Sequence, residues 1–389
     1  MCPKTFQDLI SEVHKKGICQ ECGGCVSFCS AADFDIIAFK TPHSPPDYIH
    51  KEKCLECGIC YYICPQTHIL NEELTKEYGF LNYSSMPIGH YCDIYSCQAT
   101  DVDFLKHGTD GGVVNSILFY LIEQKLIDGS IVSKAEVPFA REAFFADSKE
   151  GLLKASGTQL YMAPHLQEIE KFSTYTHTIS ELNHYKFKKL AIVGTPCQIY
   201  TIRCMQHLGV TPSENVEFCM GLLCYENFFF DKTESKKFQE EFNISFEEID
   251  KLNIKEDVIL TLKLNNGSYK RISLPFNHLN DYVRQACKAC TDFSNIYADI
   301  SFGGLASPQN YTTVITRTKK GEEIFQNALR AGIIKALDLT NNKKAQMVNL
   351  IAQYSTKKVE RKSKYMKKII NGSEKNYRKQ ESFKIREKV

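Results

Sequence analysis

The sequence predicts an α+β chain in three parts: a compact cysteine-rich module, a mixed α/β domain and a helical basic tail. Three observations carry that prediction. One cysteine run recurs near the N-terminus, strand-like and helix-like apolar runs alternate through the middle, and positive charge collects at the C-terminal end. At 389 residues the chain is too long for one ordinary domain, and two or three are expected. Hydrophobic residues at 43% and charged residues at 24% are globular proportions, so a sizeable core is expected and intrinsic disorder is not.

In the first part, Cys19-Gln-Glu-Cys22-Gly-Gly-Cys25-Val-Ser-Phe-Cys29 recurs 35 residues later as Cys54-Leu-Glu-Cys57-Gly-Ile-Cys60-Tyr-Tyr-Ile-Cys64-Pro65. Cysteines at i, i+3 and i+6 let one tight loop set three thiolates around an iron–sulfur cube. In two-cluster ferredoxins the fourth cysteine of each run ligates the other cluster. The expected assignment is therefore crossed, with Cys19, Cys22, Cys25 and Cys64 on one 4Fe-4S cluster and Cys54, Cys57, Cys60 and Cys29 on the other. Gly23, Gly24 and Gly58 let the backbone wrap each cluster closely. Paired zinc sites are the competing reading, since Cys-x-x-Cys is also zinc spacing, but a tetrahedral ion has no use for the third and fourth cysteine of each run. Ser30 stands where a proline is usual and touches no ligand. Thr41-Pro42-His43-Ser44-Pro45-Pro46 reads as a loop, and the ferredoxin-type domain is placed at 1–87, its module ending near Leu81 and forming a separate unit.

From about Ile88 the pattern turns to α/β alternation, and the second domain is placed at 88–340. Val113 to Lys125 reads as a helix, Ser130 to Lys134 as a strand, Lys189 to Val193 as a buried strand, Gln198 to His207 as a helix and Val216 to Leu223 as another buried strand. Val258 to Leu264 and Ser268 to Leu274 flank Asn265-Asn266-Gly267, a hairpin signal, and Thr312 to Thr316 with a helix from about Gly321 closes the domain. The tail is placed at 341–389.

Nine of the 17 cysteines lie outside the two runs. Cys197, in Gly194-Thr195-Pro196-Cys197-Gln198, follows one buried strand, and Cys224 ends another, so both are expected at the carboxyl edge of a parallel sheet, where open α/β folds build their sites. Cys287-Lys288-Ala289-Cys290 supplies a compact pair. The four make a thiolate set for a third cluster, with buried core cysteines plus an incidental pair as the alternative. Cys204 and Cys219 read as core residues, and Cys92 and Cys97 as a less favoured redox pair. Thr109-Asp110-Gly111-Gly112 precedes a helix whose free N–H groups favour a phosphate. Gly157-Thr158 and Gly303-Gly304 are further glycine turns. No G-x-G-x-x-G follows a strand, which disfavours a Rossmann nicotinamide site.

Met-Cys-Pro-Lys-Thr-Phe lacks the features of a signal peptide and the longest apolar stretch, Val113 to Ile122, is too short for a bilayer, so a cytoplasmic protein is expected, meeting a membrane face only through a partner or the tail. From Ile351 to Val389 there are 13 Lys or Arg against 4 Asp or Glu, a tail of +9 on a chain of net +2. It reads first as a solvated helix with a frayed end, and second as a docking element for an acidic protein partner or anionic membrane. No aromatic platform accompanies the basic residues, so nucleic-acid binding is not expected.

Thr109-Asp110-Gly111-Gly112-Val113, Gly194-Thr195-Pro196-Cys197-Gln198, Gly221-Leu222-Leu223-Cys224 and Cys287-x-x-Cys290-x-Asp292 leading to Ala298-Asp299-Ile300-Ser301 together resemble the beta subunits of coenzyme F420-reducing hydrogenases and dehydrogenases. With the ferredoxin runs in front, the layout is most similar to the input subunit of the membrane-bound dehydrogenase that oxidises reduced coenzyme F420. The resemblance implies FAD as bound flavin, coenzyme F420 as hydride partner, a third 4Fe-4S cluster on Cys197, Cys224, Cys287 and Cys290, and a partner redox subunit. It implies cofactor contacts at Thr109, Asp110, Gly111, Gly112, Val113, Gly157, Thr158, Gln159, Gly194, Thr195 and Pro196. The family commonly carries Gly-Ser/Thr-Lys-Tyr where this chain has Gly157-Thr158-Gln159-Leu160, so a cofactor-facing cation is missing, with Tyr161, Lys154 or Arg203 as substitutes. The rival functions are an electron conduit without F420 activity, a flavoenzyme of the family serving another acceptor such as formate, sulfite or a disulfide, and a structural cysteine scaffold.

Overall fold

The computed structural model describes residues 3–31, 35–41, 44–79, 87–135, 141–158, 165–172 and 188–371. The N-terminal part is built from α1 (Phe6–Leu9), which continues as a wider turn to His14, α2 (Gly24–Ala31), two antiparallel two-residue strands β1 (Ile37–Ala38) and β2 (Asp47–Tyr48), α3 (Ile59–Tyr62) and α4 (Asn71–Glu77). The sequence repeat recurs in the backbone. Glu21 and Glu56 both stand at φ 52°, and Gly23 and Gly58, two residues on, at φ 90° and 77°. A left-handed glutamate is uncommon, and its appearance at both equivalent positions marks loops shaped alike for one purpose. Such turns direct successive N–H groups to one side, an arrangement that receives anions.

The middle of the chain runs β3 (Asp93–Ala99), α5 (Val102–His107), α6 (Val113–Glu123), β4 (Gly129–Ala135), β5 (Arg141–Ala146), α7 (Lys149–Lys154), β6 (Leu190–Gly194), α8 (Pro196–Leu208), β7 (Val216–Leu222), α9 (Lys232–Phe242), β8 (Ile249–Ile254), β9 (Val258–Lys263) and β10 (Tyr269–Leu274). It closes with β11 (Ile300–Gly303), β12 (Thr312–Thr316), α10 (Lys319–Arg330), β13 (Ile334–Ala336) and the long α11 (Asn341–Asn371). Eight strands form one sheet in the order β13-β3-β12-β11-β7-β6-β4-β5. Its centre, β11-β7-β6-β4, is parallel, and antiparallel strands flank it on both sides. Continuous apolar runs in β6 and β7 follow from burial on both faces. Ala191, Phe218 and Met220 enter one core with Phe104, Ile117 and Phe325, whereas Leu190, Ile192 and Cys219 enter the other.

That second core corrects one expectation. The cysteine-rich module is not a separate unit, because Phe6, Val26, Phe28, Ile63 and Leu74 share a core with Ile192, Ile199, Tyr200 and Ile202 of the sheet and α8. Its helices are too short to enclose a core of their own, and α2 and α4 both pack on α8. A three-stranded antiparallel sheet, β10-β9-β8, forms a further small core with α9 around Phe228, Phe238, Leu260 and Tyr282. The hairpin expected at Asn265-Asn266-Gly267 joins β9 to β10, with Lys263 opposite Tyr269 and Gly267 at φ 78°.

The tail differs from a solvated helix. Met347 and Ile351 bury one stripe of α11 among Ile94, Phe293 and Ile315, and Ser355 and Lys358 continue that stripe at 0% and 1% exposure. Residues 372–389 and the module end near Leu81 lie outside the described residues. Deleting residues 1–87 uncovers the core around Ile199 and Ile202, so the remainder should melt roughly 10 °C or more below the intact chain in a thermal scan. A remainder that melts with the intact chain would show that the shared core contributes nothing.

Candidate active site and thiol sets

β6 and β7 pair with Gly194 opposite Gly221, so the chain leaves both strands at the same edge. Beyond β6, Thr195 and Gln198 form a capping box with Pro196 in the first helical turn, which sets Cys197 at the start of α8. Cys224 lies two residues past β7. Asn295 ties the two strand ends together, its Nδ2 donating to Gly194 O at 2.9 Å and Leu222 O at 3.2 Å. The Asp292 carboxylate accepts from Asn295 N at 2.8 Å and Ile296 N at 3.0 Å, which brings the Cys287–Cys290 loop to the same edge. Gly221 has to be glycine here, since a Cβ would stand 2.4 Å from the Asn295 side chain.

The four cysteines expected to form a third set are thereby brought together. Cys197 is within electrostatic reach of Cys290 and Cys224, and Cys224 of Cys287 and Cys290. Burial pushes the Cys197 thiol well up and Cys224 up to about 12. Buried in this way the thiols are poor nucleophiles, and a bound metal would hold them as thiolates. Among the N-terminal cysteines, Cys19 is within electrostatic reach of Cys64 and Cys22, Cys25 of Cys22, Cys19, Cys60 and Cys64, Cys29 of Cys57 and Cys54, and Cys60 of Cys29, Cys57 and Cys54, so the two runs adjoin one another. Among the described residues no three His, Cys, Asp or Glu side chains converge as a single-ion site requires. The first set adjoins the third: Cys22 is within reach of Cys197, and Thr201, one turn along α8, donates to Cys197 O at 2.9 Å with its hydroxyl 3.6 Å from Cys22 Sγ. Cys57 of the second set is exposed.

On the same sheet edge lies a cavity of about 260 Å³, at the small end of ligand sites. Thr109, Asp110, Gly112 and Val113 line it from the start of α6, Gly157 and Thr158 from beyond α7, Gly194 and Thr195 from beyond β6, and Gly303 and Gly304 from the end of β11. Cys224 stands in its wall. Two expected contacts do not. Gly111 packs inward, its N–H donating to Thr312 Oγ1 at 2.9 Å, because its place against Cys97 O leaves no room for a side chain. Pro196, fixed in the first turn of α8, faces a second cavity of about 450 Å³ lined also by Cys197, Cys290, Pro65 and His68. Gln159 lies outside the described residues.

Sequence reasoning missed two cations of the cavity wall. Lys255, beyond β8, sits 3.2 Å from the Asp110 carboxylate and donates to Gly304 O at 2.9 Å and Ser307 O at 3.1 Å. Burial pushes the Asp110 carboxyl above its usual range while Lys255 opposes the shift. Arg141, the first residue of β5, donates to Ser133 O and Gly157 O, and burial pushes its guanidinium down to about 10. Neither belongs to a motif, so only the fold reveals them. The substitutes expected for the missing lysine are elsewhere. Lys154 is exposed, Tyr161 lies outside the described residues, and Arg203 is buried in an ion pair with Asp299 at 2.9 Å beneath the Tyr78 ring. Cys204 and Cys219 are fully buried core residues, and Cys97 is fully buried while Cys92 is exposed.

Two family models match the chain, both describing the beta subunit of coenzyme F420 hydrogenase/dehydrogenase: that of its N-terminal part over residues 94–170, and that of its C-terminal part over residues 187–342. The beta subunit of coenzyme F420 hydrogenase from Methanococcus voltae is 29% identical over 283 residues, which cover 72% of this chain and 95% of that protein. A subunit of the F(420)H(2) dehydrogenase of Methanosarcina mazei is 24% identical over 323 residues, 81% of this chain and 84% of that one. The coenzyme F420-dependent sulfite reductase of Methanocaldococcus jannaschii is 28% identical over 331 residues, 81% of this chain and 46% of the relative. In the F420-reducing NiFe hydrogenase complex from Methanosarcina barkeri, one chain matches with TM-score 0.62 and 25% identity, covering 72% of this chain and 93% of that chain.

Replacing Lys255 by Ala leaves the Asp110 carboxylate, 8% exposed, without its cation. Chemical denaturation should show a loss of about 1–3 kcal/mol, the cost of a buried polar group deprived of its partner. An unchanged midpoint would mean that the pair contributes nothing to the cavity wall.

Proposed function

We propose that this chain, which belongs to the family of coenzyme F420 hydrogenase/dehydrogenase beta subunits, is an iron–sulfur flavoprotein that exchanges hydride with coenzyme F420 and relays single electrons through three 4Fe-4S clusters to a partner redox subunit. One observation carries the reading: the third cysteine set has Cys224 in the cavity wall and Cys197 within reach of Cys22, so cavity and N-terminal sets are continuous. The relatives named as subunits of F420-linked hydrogenases and dehydrogenases support both the substrate class and the partner.

The residues fit the groups proposed for them. The crossed assignment, with each run on a loop that has two left-handed residues, and domains at 1–87, 88–340 and 341–389 remain the proposed division of labour. FAD would be held by Thr109, Asp110, Gly112, Val113, Gly157, Thr158, Gly194 and Thr195, with Gln159 beside them in sequence. When bound, it would supply the conversion between two-electron hydride transfer and one-electron transfer. The free N–H groups at the start of α6 favour an anionic group, and Arg141 and Lys255 bring cations to the same wall. Cys197 is buried, and Cys224 is half-buried in the cavity wall. Among the described residues no helix is long and apolar enough to cross a membrane. The proposed location is the cytoplasm, with any membrane contact made through a partner or the basic tail. Relatives named for sulfite reduction and formate dehydrogenation favour, as a second reading, the same relay serving another acceptor.

Protein purified without oxygen should contain about twelve irons per chain, four for each cube. Eight would remove the third cluster, and zinc in place of iron would end the reading. Reduced coenzyme F420 should bleach the flavin absorption within seconds in stopped-flow mixing, whereas rapid bleaching by NADH alone would count decisively against the substrate. Cys290→Ala should leave flavin reduction intact and slow reduction of the N-terminal clusters severely, while Cys57→Ala should block only onward transfer.

A further inference from the structure

The tail helix bears on the third cysteine set in a way that the family blocks do not describe, since the matched region ends at residue 342. Lys358, at 1% exposure, donates from Nζ to Cys224 O and to Asp292 O, both at 2.6 Å. One turn on, Arg361 donates to Tyr225 O at 2.9 Å and Cys287 O at 3.0 Å. Two cations of α11 thus grip the backbone at Cys224, at Cys287 and just past Cys290.

Their charges are compensated differently. Arg361 is ion-paired with Glu226, itself 3% exposed at its side chain. Lys358 has no ion pair with a carboxylate among the described residues. Asp292, whose carboxylate does feel it, directs its oxygens to the N–H groups of Asn295 and Ile296. Burial disfavours the ammonium, and the groups that would favour it are Cys290, Cys224 and Cys287 when held as thiolates, opposed by Arg361. A buried cation of this kind is costly unless an anion stands beside it.

We propose that Lys358 is a positioning and tuning residue for the third cluster: with Arg361 it fixes the segments that carry Cys224, Cys287 and Cys290, and its charge raises the cluster's reduction potential. The proposal rests on the assignment of these four cysteines to a cluster. Reduction adds one electron to the cube with no bond made or broken, so a fixed cation beside the thiolates favours the reduced form. A cluster held by these cysteines would thereby accept an electron from the cavity more readily.

The test is a potentiometric titration of the whole protein followed by electron paramagnetic resonance, together with an iron count. Lys358→Gln keeps a donor for the carbonyls and removes the charge. It should retain the third-cluster signal and shift its midpoint downward by about tenfold in the reduction equilibrium, about 59 mV for one electron. Lys358→Arg, which keeps the charge, should titrate with the wild type. A Gln variant at the wild-type midpoint, or an Arg variant as low as the Gln variant, overturns the proposal. Where Lys358→Gln loses the third cluster's iron, Lys358→Arg must restore iron and midpoint together, and failure of that rescue also overturns it. A wild-type protein with no third-cluster signal refutes the cluster assignment itself, which the iron count distinguishes from failure of the tuning role.

Discussion

Because β6 and β7 pair in parallel with Gly194 opposite Gly221, two stretches of chain far apart in sequence leave the sheet side by side. Everything proposed about the site depends on that register. It sets Cys197 and Cys224 at one edge, and it places the two carbonyls, Gly194 O and Leu222 O, that Asn295 bridges with a single amide. The bridge recruits the Cys287–Cys290 loop through Asp292. Shifting the register by one residue would exchange the faces of β7, driving Phe218 and Met220 into the wrong core and turning Cys219 away from its own. The core and the thiol set are therefore specified by the same hydrogen bonds.

α8 is the second fixed point. Its first turn carries Cys197, and its second carries Thr201 beside Cys22 and Arg203 buried between Asp299 and the ring of Tyr78. Arg203 also donates from Nε to Tyr297 O at 2.9 Å and from Nη1 to Gln206 Oε1 at 2.8 Å, bonds that help to offset the desolvation of a buried guanidinium. One helix thus ties the sheet edge, the β11 approach and the N-terminal module. A module held on a shared core keeps a constant separation between thiol sets, which a flexible linker would not.

Much of this is legible in the sequence, and for identifiable reasons. The Cys repeat is also a repeat of loop conformation, so Glu21 and Glu56 share a backbone angle as they share a position. The apolar runs of β6 and β7 announce buried parallel strands, and the glycine turns mark chain reversals at one edge, which is why so many of them meet in one cavity. Gly111 and Pro196 show the limit: a motif identifies a turn, but which of its residues face outward depends on how the turn packs against β3 and β12 or opens α8. Lys255 and Arg141 are invisible in the sequence because their neighbours in space, Asp110, Gly304 and Gly157, are remote along the chain. The small β8-β9-β10 sheet is announced only as a hairpin, since β8, with Asp250, Lys251 and Asn253, has no strong apolar alternation to reveal it.

The tail shows how composition misleads about position. Thirteen basic residues between Ile351 and Val389 suggest solvent, yet helical geometry needs only one residue in three or four to line a buried stripe, and Met347, Ile351, Ser355 and Lys358 do so. The family models cover 94–170 and 187–342, so the cavity and the strand edge belong to the shared part, while the cysteine-rich module and most of α11 lie outside it. Both additions converge on the third thiol set, the module through Cys22 beside Cys197, the tail through Lys358 and Arg361 on the carbonyls of Cys224, Asp292 and Cys287. Two elements outside the shared part thus pack against one thiol set, of which Cys197 and Cys287 are buried and Cys224 and Cys290 half-buried, whereas Cys57 of the second run is exposed.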